Sequence, residues 1–252
     1  MPSVGCLVLH GFTSCADSVN RLPVRLIRHG IPYRMPVLRG HHTRPEDLQG
    51  VTWHDWYADA AAALDDLRRE VDQVIVVGLS MGGLVALHLA ASRRRDVLAV
   101  VSIAAAMQFH YKHANRVRYI TPFTKMWGDE KRDMGAGWHD PELGRKHGNY
   151  RRFPPAAFVS LWRYASVVEQ QLPRIAAPIL IIHSEADRTI PGAASERIYE
   201  RVSSPEKELV WFERSGHEML RDSEAAQVLD RIEAFILAQV ARESTLDSPN
   251  KE

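Results

Sequence analysis

The sequence predicts an α/β protein with a mainly parallel sheet and helices on both faces of that sheet. Short apolar runs alternate along the chain with longer helix-length segments, a spacing typical of β–α–β units. Most of these runs are continuously apolar, as expected for strands that are covered by helices on both sides. A glycine-flanked serine between one such run and the next helical segment is the third indication, because this placement is typical of α/β enzymes.

Six apolar runs fit strands, and five longer segments fit helices. The predicted strands are residues 5–9, 33–38, 74–77, 98–103, 178–183 and 209–212, and the predicted helices are residues 18–28, 53–67, 81–92, 193–202 and 223–241. The clearest helix repeats apolar residues from Trp53 to Leu67 at steps of three and four, while Asp59 falls elsewhere on its circumference. Thr52, followed three residues later by Asp55, predicts a capping box at its start.

One stretch interrupts the alternation, from about residue 107 to residue 170. It contains no convincing strand, and its tryptophans are scattered among Gly, Pro and Arg. Because structureless loops of that length are uncommon in compact domains, we predict an inserted, mostly helical cap subdomain. Residues 1–106 and 171–252 would then form the two parts of one core, with a polar tail from about residue 243 that we expect to be disordered.

The composition of the 252 residues excludes several classes of protein. Hydrophobic residues make up 45% and charged residues 25%, which excludes a disordered chain, a collagen-like chain and a coiled coil. The 32 basic and 31 acidic residues leave a net charge of +1, which argues against nucleic acid as a partner. Two cysteines, Cys6 and Cys15, are too few for a disulfide framework. Without a targeting signal or a run of about 20 apolar residues, we expect a cytoplasmic protein with no stable membrane insertion.

The strongest functional signal is the sequence Gly78-Leu79-Ser80-Met81-Gly82. It lies between the predicted strand 74–77 and the predicted helix 81–92. A nucleophile on such a tight strand-to-helix turn has strained backbone geometry, and the flanking glycines leave room for that turn. The positive end of the helix dipole would lie beside the hydroxyl group. We therefore predict that Ser80 is a nucleophile.

A serine hydroxyl needs a base, and the chain offers 12 histidines. In enzymes with this type of turn, the acid follows the serine along the chain and the histidine follows the acid. His217 lies after the last predicted strand and is the favoured base, ahead of His88 within a helix and His183 at a strand end. Asp187, in the loop after the strand 178–183, is the favoured acid, and Glu185 is the alternative.

Two backbone N–H groups should stabilise the negative charge that develops on the substrate oxygen. One is expected from Met81, which follows the nucleophile. The other is expected from Phe12, in the His10-Gly11-Phe12 turn after the first strand. Gly11 would permit the close approach, and the side chains of Phe12 and Met81 would line an apolar acyl pocket.

Together these segments resemble the α/β-hydrolase superfamily, and more narrowly the small bacterial carboxylesterases and monoacylglycerol lipases. The similarity rests on residues 7–14 (LVLHGFTS), 39–60, 76–90 (VVGLSMGGLVALHLA), 178–191 (PILIIHSEADRTIP) and 215–222 (SGHEMLRD). It covers nearly the whole chain except the insert. It implies hydrolysis of a small-molecule ester without a cofactor, a helical cap over the site and a preference for monoacyl esters. The family's triad falls on Ser80, Asp187 and His217, and its oxyanion donors fall on Phe12 and Met81.

Two features depart from the family pattern. The usual Gly-His-Gly reads Gly40-His41-His42 here, so the shape of this loop at the border of the site does not carry over. The chain starts just before the strand 5–9, so the sheet should have about six strands and lack most of the usual first pair. His41 and His42 are not expected to bind a metal, because adjacent histidines point apart and no carboxylate or cysteine shares their spacing.

The leading hypothesis is a serine carboxylic-ester hydrolase for short- to medium-chain acyl esters, with monoacylglycerols among the candidates. The same triad also serves thioesterases, lactonases and acyltransferases, and a non-catalytic small-molecule binding protein could retain the scaffold. Within the insert, 11 basic residues against 6 acidic ones leave a basic excess. This excess would attract anionic substrates or membrane surfaces, although such an excess is more often a solvated helical face.

Overall fold

The computed structural model describes residues 4–110, 125–131 and 133–246 of the chain. Eight strands lie in these ranges: β1 (Val4–Leu9), β2 (Tyr33–Arg34), β3 (Gln73–Leu79), β4 (Val97–Ile103), β5 (Trp127–Gly128), β6 (Arg152–Phe153), β7 (Ile179–Ser184) and β8 (Lys207–Phe212). The same ranges hold seven α-helices: α1 (Arg21–Arg28), α2 (Trp53–Leu67), α3 (Met81–Ser92), α4 (Pro141–Arg145), α5 (Pro155–Gln171), α6 (Ala193–Arg201) and α7 (Ala225–Leu246).

Six of the strands form one parallel sheet in the order β2-β1-β3-β4-β7-β8. The predicted mainly parallel sheet of about six strands is therefore confirmed. Residues 107–170, the predicted insert, fall between β4 and β7, which are neighbours in the sheet. Because all six strands run in the same direction, the loops that follow β1, β3, β7 and β8 meet at one edge of the sheet.

Helices pack on both faces of the sheet, as predicted. On one face, α1 and α7 contribute the buried side chains of Leu22, Leu26 and Ile232. On the other face, α2 contributes Trp56 and Leu64, and α3 is buried at nearly every position. The burial of α3 at nearly every position explains why its sequence is mostly apolar instead of amphipathic.

The insert packs into the core as well as lying over the sheet edge. Its longest helix, α5, carries the fully buried Tyr164, whose hydroxyl lies 3.2 Å from His88 Nδ1 of α3. Ser160 of the same helix accepts a hydrogen bond of 2.8 Å from the backbone N–H of Trp53 in α2. The insert also forms the antiparallel pair β5–β6. The prediction of no strand in this stretch was therefore wrong, because two-residue strands are too short to show a period of two.

Several element boundaries differ from the prediction. Strand β2 ends at Arg34, and Leu38, at the predicted end of that strand, donates its N–H to His10 Nε2 at 3.0 Å. Helix α1 begins at Arg21 instead of the predicted residue 18, and a separate 3-10 turn at Ala16–Ser18 precedes it. Helix α7 reaches Leu246, so residues 243–246 are helical where a disordered tail was expected, and residues 247–252 lie outside the described part.

The predicted capping box at the start of α2 is present. The Asp55 carboxylate accepts hydrogen bonds from both the N–H of Thr52 at 2.9 Å and the hydroxyl of Thr52 at 2.8 Å.

Among the helices of the described residues, none is both long and apolar enough to cross a membrane.

Candidate active site

Ser80 lies on a strained turn between β3 and α3. Its backbone has φ 57° and ψ −113°, a left-handed conformation that costs about 1–3 kcal/mol in a residue other than glycine. The neighbouring glycines make this turn possible. A Cβ on Gly78 would lie 2.0 Å from the Gly82 carbonyl oxygen, and a Cβ on Gly82 would lie 2.4 Å from the Leu9 carbonyl oxygen. The turn thus requires both glycines of the motif and places Ser80 at the N-terminus of α3.

The structure brings Ser80, His217 and Asp187 together in one hydrogen-bonded chain. Ser80 Oγ lies 2.8 Å from His217 Nε2, and His217 Nδ1 lies 2.7 Å from Asp187 Oδ2. A carboxylate can only accept, so Nδ1 carries the proton and Nε2 is free to accept from the serine hydroxyl. This tautomer is the one a general base needs toward Ser80.

The Asp187 carboxylate is fixed from its other side by the backbone. Its Oδ1 accepts hydrogen bonds from the N–H of Thr189 at 2.7 Å and from the N–H of Ile190 at 3.0 Å. The backbone of the loop that follows β7 therefore holds the side chain of Asp187, a residue of the same loop. These two bonds leave Oδ2 directed at the imidazole.

The pKa values of His217 and Asp187 shift in opposite directions. Burial alone lowers the pKa of His217, but the charge of Asp187, the hydrogen bond to it and the charge of Glu218 raise it above 6.5 overall. Burial alone raises the pKa of the Asp187 carboxyl, but His217 and the two backbone N–H donors lower it below 3.8 overall. Such paired shifts favour a charged imidazolium next to a carboxylate, the state that forms when a histidine accepts a proton during catalysis.

The other candidates for base and acid lie outside this chain of hydrogen bonds. His88 Nδ1 lies 3.2 Å from the Tyr164 hydroxyl. His183 is fully buried behind Asp187, where its Nδ1 accepts from the Ser195 hydroxyl at 2.7 Å and its Nε2 donates to the Ile190 carbonyl at 3.1 Å. Glu185, the alternative acid, is exposed.

The loop after β1 packs directly against Ser80. A Cβ on Gly11 would lie 3.3 Å from the Ser80 Cβ, so only glycine lets the backbone come so near without displacement. His10 supports this loop from below: its Nε2 accepts from the Leu38 N–H at 3.0 Å, and its Nδ1 donates to the Gly11 carbonyl at 2.9 Å. Burial lowers the pKa of His10 to about 4, so it stays neutral and keeps both bonds at ordinary pH. Phe12 therefore begins a rigid turn beside Ser80.

The Gly40-His41-His42 loop packs against the loop after β1, with the His41 ring 4.9 Å from the His10 ring between centroids, and its conformation is unusual. His42 adopts φ 58°, the left-handed conformation that a glycine would adopt more readily. The Tyr150 hydroxyl, from the insert, accepts from the Thr43 N–H at 2.9 Å and donates to the Gly40 carbonyl at 3.3 Å. The insert therefore stabilises this loop through Tyr150.

Among the residues that the structure describes, no group of three or more metal-ligating side chains is found here or elsewhere.

A cavity of about 680 Å³ opens over Ser80 and His217. Its apolar wall is a cluster of aromatic rings. Phe12 lies 5.2 Å from Phe153, Phe109 lies 5.1 Å from Phe158, and Trp127 lies 5.9 Å from Phe158, measured between ring centroids. Edge-to-face contacts of this kind hold the rings in fixed positions. Four of the five rings come from residues 107–170, so the insert supplies most of the apolar wall.

The charged residues of the cavity do not reflect the basic excess of the insert. Of the described residues, the lining includes the carboxylates of Asp129, Asp133 and Glu218 and no lysine or arginine. Arg145, one of the basic residues of the insert, pairs with Asp133 at 3.3 Å. The cavity lined by these residues is therefore better suited to neutral substrates than to anionic ones.

Asp222, which the sequence did not single out, ties the insert to the histidine loop. This carboxylate is 3% exposed and accepts hydrogen bonds from the N–H of Gly216 at 2.6 Å, His139 at 2.8 Å, Asp140 at 3.0 Å and Ser223 at 2.8 Å. Burial raises its pKa, but these donors lower it below 3.8 overall. No local sequence pattern could have revealed this role, because two of the donors lie more than 80 residues away in the insert.

Comparison with known proteins identifies the family of the chain. Residues 2–224 match the family model described as serine aminopeptidase, S33. A thermostable monoacylglycerol lipase from Bacillus sp. (strain H-257) is 30% identical over 234 residues, which cover 90% of this chain and 88% of that protein. A carboxylesterase from Bacillus subtilis (strain 168) is 25% identical over 231 residues, which cover 91% of each.

Among solved structures, one from work on the metagenome-derived lipolytic enzymes LipS and LipT superimposes with a TM-score of 0.85 at 31% identity and covers 94% of each chain. Because 94% of the chain is covered, the similarity extends over most of the segment between β4 and β7 as well as over the core. The chain is thus a serine hydrolase with the α/β-hydrolase fold, and it belongs to the serine aminopeptidase S33 family.

Proposed function

We propose that the protein is a carboxylic-ester hydrolase for short- to medium-chain acyl esters, monoacylglycerols included. The observation that carries this proposal is the hydrogen-bonded chain from Ser80 through His217 to Asp187, with its two short contacts of 2.8 and 2.7 Å. The relatives named as monoacylglycerol lipase and carboxylesterase support the same class of substrate.

In this mechanism, Ser80 Oγ attacks the ester carbonyl while His217 Nε2 takes the hydroxyl proton. The N–H groups of Phe12 and Met81 bind the oxyanion, and Met81 is suited to this because the first N–H of a helix has no partner within the helix. His217 then gives the proton to the departing alcohol, which leaves an acyl group on Ser80. The same histidine activates a water molecule that releases the acid.

The aromatic wall supports an acyl group as the part of the substrate that enters the cavity. Its rings offer apolar surface to a hydrocarbon chain, and each buried methylene contributes about 0.8 kcal/mol. The volume of about 680 Å³ is comparable to that of pockets that bind small ligands. We therefore expect catalytic efficiency to rise with chain length until the chain fills the cavity.

The direct test replaces the nucleophile. Ser80→Ala should reduce the hydrolysis of p-nitrophenyl butanoate by several orders of magnitude and abolish labelling by a fluorophosphonate probe, because both require an attacking oxygen. Ser166→Ala, a matched change at an exposed serine of α5, should leave both unchanged. Hydrolysis by Ser80→Ala near the wild-type rate would contradict the mechanism.

A second measurement distinguishes esters from other acyl substrates of the same triad. A series of esters of increasing chain length is compared with a thioester and a lactone of matched acyl size. Preference for the esters supports the proposal, whereas a clear preference for the thioester or the lactone would assign the triad to that reaction instead.

A further inference from the structure

Tyr150, a half-buried residue of the insert, contacts two loops of the core at once. Its backbone N–H donates a hydrogen bond of 2.8 Å to the Thr13 carbonyl, in the loop after β1. Its hydroxyl accepts from the Thr43 N–H at 2.9 Å and donates to the Gly40 carbonyl at 3.3 Å. A single residue of the insert therefore joins the loop after β1 to the Gly40-His41-His42 loop.

The residue that Tyr150 holds in the loop after β1 has a strained backbone. Thr13 adopts φ 61°, a left-handed conformation that is unfavourable for a β-branched residue. It is the third residue of a turn that begins at Gly11 and is closed by a hydrogen bond of 3.3 Å from the Ser14 N–H to the Gly11 carbonyl. Such strain persists only where the surroundings hold it, and the bond from Tyr150 comes from outside the turn.

This turn carries one of the two proposed oxyanion donors. Phe12 is its second residue, and the Phe12 N–H is the group expected to bind the oxyanion. If Thr13 relaxed to an ordinary conformation, the turn would open and the Phe12 N–H would change direction. The orientation of this donor therefore depends on what holds Thr13.

The ring of Tyr150 supports the same turn through His41. The rings of Tyr150 and His41 are parallel, with centroids 6.4 Å apart, and the His41 ring meets the Phe12 ring edge to face at 6.0 Å. His41 is 1% exposed, so its ring cannot shift without displacing its neighbours. Tyr150 thus supports Phe12 in two ways, through the Thr13 carbonyl and through the His41 ring.

We propose that Tyr150 is a positioning residue for the oxyanion donor Phe12, so that the insert sets the geometry in which the core binds the developing negative charge. This inference rests on the ester hydrolysis and the oxyanion donors proposed above. Acylation and deacylation both pass through an oxyanion, so the effect of Tyr150 falls on kcat and leaves KM nearly unchanged. It is also the same for every acyl chain, because the oxyanion is common to all esters.

The experiment measures kcat and KM of Tyr150→Ala and Tyr150→Phe with p-nitrophenyl acetate and p-nitrophenyl octanoate. Removing an oxyanion donor lowers kcat by about 100- to 1000-fold, so misplacing one should cost less. We expect losses in kcat of about 30-fold for Tyr150→Ala and about threefold for Tyr150→Phe, which keeps the ring, with KM within about twofold. Both esters should lose equally. A larger loss for the octanoate would overturn the proposal, because Tyr150 lines the cavity and would then act as part of the acyl wall.

Thr13→Gly provides a readout that a merely structural role of Tyr150 would not move. Glycine adopts φ 61° without strain, so the turn no longer needs Tyr150 to the same extent. In the Thr13→Gly background, Tyr150→Ala should lower kcat by about fivefold or less, instead of about 30-fold. Equal losses in the two backgrounds would contradict a role that acts through Thr13.

Tyr199→Phe is the matched control, because it removes the hydroxyl of an exposed tyrosine of α6 that lies outside the lining of the cavity. It should leave kcat unchanged. Thermal melts identify a variant that fails to fold, and Tyr150→Phe then decides the question by the same comparisons. If the wild type hydrolyses both esters in a Ser80-dependent way and the Tyr150 variants match it, only this proposal fails. If the wild type shows no such hydrolysis, the proposed function fails with it.

Discussion

Replacing Asp187 by asparagine tests the orientation of His217 most sharply. The backbone N–H groups of Thr189 and Ile190 both donate to Oδ1, so the amide oxygen of the new side chain must occupy that position. Its NH2 group then faces His217 Nδ1, where the carboxylate now accepts at 2.7 Å. If the amide were turned the other way, its NH2 group would face the N–H groups of Thr189 and Ile190. Both hydrogen bonds to the backbone would be lost, and three donors would point at one another. The imidazole must therefore place its proton on Nε2, where it can no longer accept from Ser80.

The expected loss in kcat is about ten thousand-fold, equivalent to about 5 kcal/mol, as for other triads in which the tautomer is reversed. Stopped-flow or steady-state hydrolysis of p-nitrophenyl butanoate measures it. Glu185→Gln, at the alternative acid, is exposed and should retain near wild-type activity. The reasoning fails if Asp187→Asn keeps activity within about tenfold of the wild type, or if Glu185→Gln is the variant that loses it.

Three further predictions concern pH, the turn and the acyl cavity. Because the pKa of His217 is raised and only its neutral form accepts a proton, kcat/KM should fall as pH decreases through a value above 6.5, as a pH–rate profile would report. Gly82→Ala places a Cβ 2.4 Å from the Leu9 carbonyl oxygen, and it should lower the free energy of unfolding, measured in urea, by at least about 1–3 kcal/mol. Gly137→Ala is the control, because no atom lies within 4 Å of its new Cβ, and it should change stability little. Phe158→Ala should reduce kcat/KM for octanoyl esters more than for acetyl esters; equal losses would show that the ring does not contact the chain.

The turn at Ser80 was predictable because all its determinants are local. The motif has two glycines, with a buried strand before them and an apolar helix after them, all close together in the sequence. Each glycine is required because the turn leaves no room for a side chain there. Asp187 and His217 followed from chain order and from loops at the carboxyl ends of predicted strands. Parallel strands bring these loops to one edge regardless of the details of packing.

The contributions of the insert were not predictable in the same way. Strands β5 and β6 have two residues each, and the contact between Tyr150 and the Gly40 carbonyl joins segments 110 residues apart. The basic excess of the insert could be read as substrate attraction or as a solvated face, and the described lining of the cavity, which carries carboxylates and no lysine or arginine, favours the solvated face. A residue count does not tell which side of a segment its charges occupy. Only the folded arrangement does.

The four hydrogen bonds of Asp222 have a consequence for how the protein can be redesigned. The same carboxylate fastens residues 139 and 140 of the insert and the residue just before His217. A Cβ on Gly216 would lie 2.0 Å from the Gly137 carbonyl oxygen, so the two segments touch along their backbones. Trimming the insert to admit bulkier substrates would therefore release the loop that holds His217 in its hydrogen bonds to Ser80 and Asp187. Access is better widened by truncating individual aromatic side chains, with residues 137–140 left in place.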